Sequence, residues 1–369
     1  MAIIKYYSNS AKIIFSYISP RTIGDFTEQL LISAAIKENL NEYKLGLFYI
    51  NDKKHKDTII SLYDGVDYLM KGDKGMKFPI NYFDAYSGRP LTAPRMEEFG
   101  VHMSRLIFSG NSLTSMSLPS FDYVPRLRVP AHQKLEHENL LQTLGLDPER
   151  WFACFFWREL GYQGRPSHSQ RDITDPAPYI DAIRFIVEDL GGQVVRLGHP
   201  TDTQMPDHPS IIDLSKIDDS LMTQIVAISR SRFFVSSCSG PITFGSGFGV
   251  PTAATNNIDI SGVWNDHDII LTKKIISPRG KIYQQKSALD AGLLKPGQSR
   301  WLNKPENGYS YVNNSAQELR HITDLLYHRT DNCPRWREEE FRTLPLGKEQ
   351  ISFPLVPAVK DHAFVDIPN

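Results

Sequence analysis

Four groups of polar residues sit where apolar, β-rich runs give out. They are Gly24 and Asp25 after KIIFSYIS, Arg158 through Asp172 after WFACFFW, Arg196, Gly198 and His199 in QVVRLGH, and Ser236 to Pro241 after RFFV. The most informative stretch is Arg232 to Asn256, RFFVSSCSGPITFGSGFGVPTAATN. An apolar run breaks into Ser236, Ser237, Cys238, Ser239, Gly240 and Pro241, and a second apolar run starts at Val250. That order reads as strand, tight turn, short helix, strand. A turn of small residues feeding a helix that opens on proline aims backbone N–H groups and hydroxyls out of a sheet's carboxyl edge, where the helix dipole favours an anion. The chemistry this suits is a phosphate or diphosphate cradle. The other reading is a turn kept small so that the helix packs closely on the strand.

The loop after Trp157, RELGYQGRPSHSQRDITDP, is longer and more charged than a connector needs to be. It offers Arg158, Arg165 and Arg171 together with His168 and Asp172. Arginine suits phosphate because its planar fork donates parallel hydrogen bonds and stays ionised. Arg158, next to the strand, is the first choice for a diphosphate clamp. Arg171 is second, the alternative being a pair with Asp172 or Asp175 that stiffens the loop. His168 is either an acid/base group, a phosphate ligand or an inert loop histidine. Arg196 falls inside a strand run that should be buried, so it needs a partner, either a carboxylate or the ligand. Asp266 and Asp268, in NDHD, have the acid-x-acid spacing of a divalent-metal site, but they lie after the main strands and read as solvated loop acids. Cys238 lies in the turn without an identifiable base and reads as a small packing residue.

These groups need strands to bring them to one edge. In the first half, Lys12–Ser19 reads as a buried strand, and the helical spacing from Phe26 through Leu30, Leu31, Ala34, Ala35 and Leu40 follows it. Asp25 then stands at the helix N-cap. Leu45–Ile50, Val66–Met70 and Phe78–Phe83 are further strands, with a short helix at Thr58–Tyr63 and another helix around Pro94–Phe108. Leu118–Pro130 holds three prolines in 13 residues and reads as the crossing between domains. The second half gives a helix at His132–Leu144, strands at Trp151–Trp157, Gln193–Leu197, Ile211–Leu214, Arg232–Val235 and Val250–Thr255, and helices at Tyr179–Leu190 and Leu221–Ser231. Five strands with helices between them make a doubly wound nucleotide-binding sheet, whose carboxyl edge gathers groups distant in sequence. Charged, glycine-rich loops lead on to a helix at Ser315–His328, and a proline-containing tail closes the chain. The expected division is 1–125, 126–330 and a wrapping tail at 331–369.

Composition narrows the function classes. At 369 residues the chain is long enough for two domains, and its 41% hydrophobic and 22% charged residues are those of a globular protein. A net charge of −1, from 41 basic and 42 acidic residues, provides no field to draw it to nucleic acid or anionic lipid. Three cysteines without a CxxC pair argue against a disulfide framework or a zinc knuckle and fit a reducing cytoplasm. The apolar run near the N-terminus is too short and too interrupted for a signal peptide, and no segment reaches the ~20 apolar residues of a membrane span. Work on a lipid-linked substrate would be done from the membrane surface.

Taken together, WRE at a strand end, SQRD, VVRLGH, IDLS and SRSRFFVSSCSGPITFGSGFGVPTAATN, with Ile23, Gly24 and Asp25, resemble bacterial glycosyltransferases of GT-B architecture found with surface-polysaccharide genes. The resemblance covers about a hundred residues well. It implies an α/β fold of two Rossmann-like domains facing a cleft, the C-terminal one holding a nucleotide-diphosphate sugar and the N-terminal one a glycan or lipid-linked acceptor. It also implies a reaction with no required metal and no cofactor beyond the donor substrate. Arg158 looks like the diphosphate-clamping arginine of fucosyltransferase-like members, and Ser236, Ser237, Ser239 and Gly240 look like the phosphate turn. Gly24 and Asp25 are similar to the junction in heptosyltransferase-like enzymes whose aspartate acts as base on the acceptor hydroxyl. Donor base, sugar, acceptor and oligomeric state are left open. Two other functions fit the same scaffold: a nucleotide-sugar epimerase or hydrolase, and a non-catalytic nucleotide-sugar-binding subunit. A dinucleotide oxidoreductase is disfavoured because no GxGxxG follows a strand with an acidic residue ~20 positions on.

Overall fold

The computed structural model describes residues 13–18, 22–39, 43–72, 106–108, 118, 121, 123–159, 170–200, 203–218, 220–295 and 298–331. The chain divides into two compact units between Arg128 and Val129. The N-terminal unit is built on strands β1 (Ile13–Ile18), β2 (Lys44–Ile50), β3 (Tyr68–Gly72) and β4 (Leu106–Phe108), with helices α1 (Ile23–Asn39) and α2 (His55–Ile60). The sheet is parallel throughout, in the order β3-β2-β1-β4. The long helix anticipated from Phe26 begins three residues earlier, so Asp25 lies in its first turn and Thr22 precedes it. Phe26, Leu30, Leu31, Ala34 and Ala35 are fully buried, as their spacing predicts. A short hydroxyl contact between Ser16 and Ser33, 2.6 Å, ties the helix to β1. Leu106–Phe108, placed by sequence at the end of a helix, are strand; the remainder of that helix and the Phe78–Phe83 strand lie outside the described residues.

The C-terminal unit begins with α3 (Ala131–Thr143), which stops at Gly145, where φ is +103°. Then come β5 (Phe152–Phe156), α4 (Ala177–Arg184) with a wider π turn over Phe185–Asp189, β6 (Gln193–Leu197), β7 (Ile211–Asp213) and α5 (Leu221–Arg230). β8 (Phe233–Ser237), α6 (Ile242–Phe248), β9 (Thr252–Asn257) and β10 (Ile269–Thr272) complete a six-stranded parallel sheet ordered β10-β9-β8-β5-β6-β7. The sequence pattern marks five of these strands and misses β10. Ile269, Ile270 and Leu271 are buried there, but four residues are too few to separate a strand from a loop by period alone. The charged loops expected after Asn256 also contain a small antiparallel sheet of β11 (Lys274–Ile276), β12 (Ile282–Tyr283) and β13 (Ser310–Val312). Between these strands and after them run α7 (Gln285–Asp290), α8 (Gln298–Leu302) and α9 (Ala316–Arg329). The last of these opens with a reciprocal capping box between Ser315 and Glu318.

The core of this unit is almost wholly aliphatic and aromatic. Phe155, Phe233, Val235, Ala253 and Ile269 on the strands meet Ile183 and Ile186 from the α4 segment and Leu319, Ile322 and Leu326 from α9. The β8-turn-α6-β9 corner is tight. A Cβ at Gly245 would stand 2.2 Å from the Thr252 hydroxyl oxygen and 2.8 Å from a Phe234 ring carbon. The chain therefore keeps α6 close on the sheet by having no side chain there, so part of the small-residue character of this stretch serves packing.

Candidate functional site

Strand order in the C-terminal sheet reverses direction between β5 and β8, and that pair is hydrogen-bonded in register from Ala153–Phe233 to Phe156–Ser236. At such a switch point the connections leave on opposite faces and open a crevice beyond the carboxyl ends of the strands. Arg158 follows β5, and the Ser236–Pro241 turn follows β8, so the sheet brings these two sequence-predicted groups side by side. The joint is direct. The Arg158 N–H donates to the Ser237 Oγ at 2.9 Å.

Within the turn the residues divide in role. Ser236 and Ser237 are fully buried, and their hydroxyls are turned inward rather than out of the carboxyl edge. Ser236 Oγ donates to the Ser237 carbonyl, 3.0 Å, and Ser237 Oγ is taken by Arg158. Ser239, Gly240 and Pro241 are the half-buried part that faces outward. The N–H groups of Ile242, Thr243 and Phe244 bend back onto the carbonyls of Ser239, Gly240 and Pro241 at 3.0–3.2 Å, which makes the start of α6 a tight rather than an open turn. Cys238 is buried, and burial pushes its thiol up, as expected of a packing residue.

Arg158 is half-buried, with Nε 2.7 Å from Oδ1 of buried Asp172. The backbone reinforces that pair: the Ile173 N–H donates to the Arg158 carbonyl at 2.8 Å, and Glu159 and Ile173 form a parallel bridge. Residues 170–173 thus add a short extra rung beside the end of β5 and fix the guanidinium from one side. Arg171 is exposed on this segment, and Asp175 accepts the Ala177 N–H. Arg165 and His168 lie outside the described residues.

Arg196 has the partner that its burial demanded, and the partner is a pair of carboxylates. Its side chain is 2% exposed, one terminal nitrogen 2.5 Å from Glu159 Oε1 and the other 3.3 Å from Asp213 Oδ2. The guanidinium lies over the Trp157 ring at 4.5 Å, and Trp157 Nε1 donates to the same Glu159 oxygen. Arg196 therefore braces the ends of β5, β6 and β7 through carboxylates, one of the two kinds of partner that the sequence allowed. Gly198 follows with φ +147°, its peptide clamped on both sides by Gln224 at 3.0 and 2.9 Å. His199 stands exposed beyond it, and the protein bulk near its ring holds the imidazole below its usual value.

Asp268 also differs from expectation. It is buried, not solvated, and accepts from Ser246 Oγ and from the N–H groups of Thr252, Trp264 and Asn265 at 2.8–3.2 Å. It ties α6, β9 and the loop before β10 together. Among the described residues no three His, Cys, Asp or Glu side chains are grouped to hold a metal ion.

One residue that sequence reasoning passed over belongs to this edge. Lys273 directly follows β10, and its side chain is 3% exposed. Its Nζ donates to the Asp172 carbonyl at 3.2 Å. Burial pulls its pKa from 10.5 down to about 8, with Cys238 and Asp172 pulling the other way. Had β10 been recognised, a lysine closing a buried strand at the carboxyl edge would have been a signal.

In the N-terminal unit Gly24 is buried and Asp25 exposed at the start of α1, just beyond β1. Asp25 Oδ2 accepts from the Thr22 hydroxyl at 2.7 Å. The order β3-β2-β1-β4 reverses between β1 and β4, so this junction too stands at a switch point. No helix among the described residues is long and apolar enough to cross a membrane.

No family model matches this chain, and no curated protein matches it. Among solved structures it is similar to the glycosyl transferase family 9 structure from Veillonella parvula DSM 2008, with a TM-score of 0.52 at 13% identity over 86% of this chain and 97% of that one. It is also similar to the E. coli ADP-heptose lps heptosyltransferase II, with a TM-score of 0.49 at 14% identity over 86% of this chain and 99% of that one. The first likeness is one of fold: the chain has the two-unit α/β architecture of GT-B type, each unit with its own parallel sheet.

Proposed function

We propose that this protein is a nucleotide-sugar-dependent glycosyltransferase that moves a sugar to an acceptor hydroxyl, without a metal, in cytoplasmic synthesis of a surface glycan. The observation that carries the reading is that the sheet sets Arg158 beside the Ser236–Pro241 turn at the switch point between β5 and β8, the two joined by the bond from the Arg158 N–H to Ser237 Oγ. The shared fold with a glycosyl transferase family 9 structure supports it. Arg158, braced by Asp172, takes the donor diphosphate and stabilises the charge that grows on it as the glycosidic bond breaks. Asp25, exposed and oriented by Thr22, accepts the proton of the acceptor hydroxyl. Gly198, His199 and Arg171 flank the donor position, and the acceptor is a glycan or a lipid-linked sugar reached from a membrane surface.

The test is a thermal-shift series with GDP, UDP, ADP, CMP and their common sugar conjugates in the presence of a chelator, on wild type and Arg158→Ala. A ligand that binds only the folded state raises the melting temperature. The expected result is a shift with one nucleoside diphosphate that disappears in the variant. No shift with any nucleotide would refute the diphosphate site. Consumption of the donor sugar with no acceptor present would turn the reading toward an epimerase or hydrolase.

A further inference from the structure

Lys273 is out of place as a packing residue. An ammonium so nearly buried is costly, and an apolar side chain of the same length would fill the volume at no such cost. Its hydrogen bond goes to the main chain of Asp172, the residue whose carboxylate holds Arg158. Lys273 is itself anchored, its N–H donating to the Asn257 carbonyl at 2.8 Å as β10 leaves the sheet. A chain of contacts therefore runs from the end of β10 through the 170–173 segment to the end of β5. The charged and titratable groups around the ammonium are Asp172 and Cys238, with Arg158 on Asp172 and Arg171 and Asp259 acting on Cys238.

We propose that Lys273 is a positioning residue for the carboxyl edge of the C-terminal sheet. Its ammonium, seated on the Asp172 carbonyl, holds the 170–173 segment so that Asp172 stays locked on Arg158. The consequence of that hold for a bound diphosphate rests on the glycosyltransferase reading; its consequence for the segment does not.

The experiment is hydrogen exchange followed by mass spectrometry on full-length wild type, Lys273→Met and Lys273→Arg, with inorganic pyrophosphate binding measured in parallel by calorimetry. After correction for intrinsic rates, residues 170–176 are well protected at pH 7 in the wild type, and at least about tenfold less so in Lys273→Met. Lys273→Arg restores the protection, because the guanidinium also donates to the Asp172 carbonyl. Protection of β5 and β8, which follows the stability of the whole unit, does not fall in Lys273→Met. Pyrophosphate binding at pH 7 weakens about tenfold in Lys273→Met, the scale of coupling between groups in one network. Protection of residues 170–176 equal in wild type and Lys273→Met would overturn the proposal, and so would a loss in Lys273→Met that Lys273→Arg fails to restore. If protection behaves as expected while the wild type binds neither pyrophosphate nor any nucleotide, the positioning role stands and the glycosyltransferase reading fails.

Discussion

Replacing Lys273 with methionine should make the C-terminal unit more stable at neutral pH, and the gain should vanish on the alkaline side. The fall from 10.5 to about 8 reflects burial of a charge, so folding carries a penalty whenever the ammonium is protonated in the native state. That displacement corresponds to about 3 kcal/mol. Below pH 8 both folded and unfolded chains hold the proton and the penalty is present in full. Between pH 8 and 10.5 the unfolded chain binds more protons than the folded one, so wild-type stability climbs with pH; above that range the penalty is gone. Methionine removes the penalty at every pH but leaves the Asp172 carbonyl without its donor, which costs about 1 kcal/mol. The net expectation is a gain of about 2 kcal/mol at pH 7, shrinking through zero and reversing to a loss of about 1 kcal/mol by pH 11. Urea unfolding followed by tryptophan fluorescence suits the measurement, because all five tryptophans lie at or beyond Trp151 and so report on the C-terminal half of the chain. A variant less stable than wild type at pH 7, or a difference that does not change with pH, would refute the account of Lys273 as a charge buried at a cost.

Three further outcomes follow from contacts around the same edge. Arg196→Met should destabilise the C-terminal unit by about 3–5 kcal/mol in the same urea assay, because it strands the buried Glu159 and Asp213 carboxylates without their cation; a loss confined to ligand binding would instead make Arg196 a donor contact. Asp268→Asn should cost about 2 kcal/mol, since an amide group would face donors that now converge on a carboxylate, and chelators should affect wild type and variant alike. Gly245→Ala should cost at least about 2 kcal/mol by forcing α6 away from Thr252 and Phe234, with melting temperature as the readout.

Much of the C-terminal sheet was legible in the chain because its strands are continuous apolar runs ended by polar clusters. A parallel sheet covered on both faces requires that pattern. Arg158 and the Ser236–Pro241 turn could be singled out for the same reason: each is the first polar group after a buried strand. The helix after β1 was legible from its three-four spacing, although its start was misplaced because Asp25 resembles a cap while Thr22 occupies the preceding position. Strand β10 and the small sheet around Ile275 were not, because strands of two to four residues have no measurable period.

What the sequence by itself determined is which long apolar runs are strand, which amphipathic runs are helix, and which polar groups follow those runs. That information is local, carried by runs of apolar residues and the small or charged residues that interrupt them. Tertiary structure decided which of those groups face outward and which are consumed inside. Ser236, Ser237, Arg196 and Asp268 all look like ligands by type, but each is buried and satisfied by residues up to 79 positions away, as in the Arg158–Ser237 bond. Lys273 shows the opposite case, a residue unremarkable in the chain that the strand order sets against Asp172, 101 positions earlier. Partners at such separations are chosen by strand order and packing, and neither is written in the local pattern.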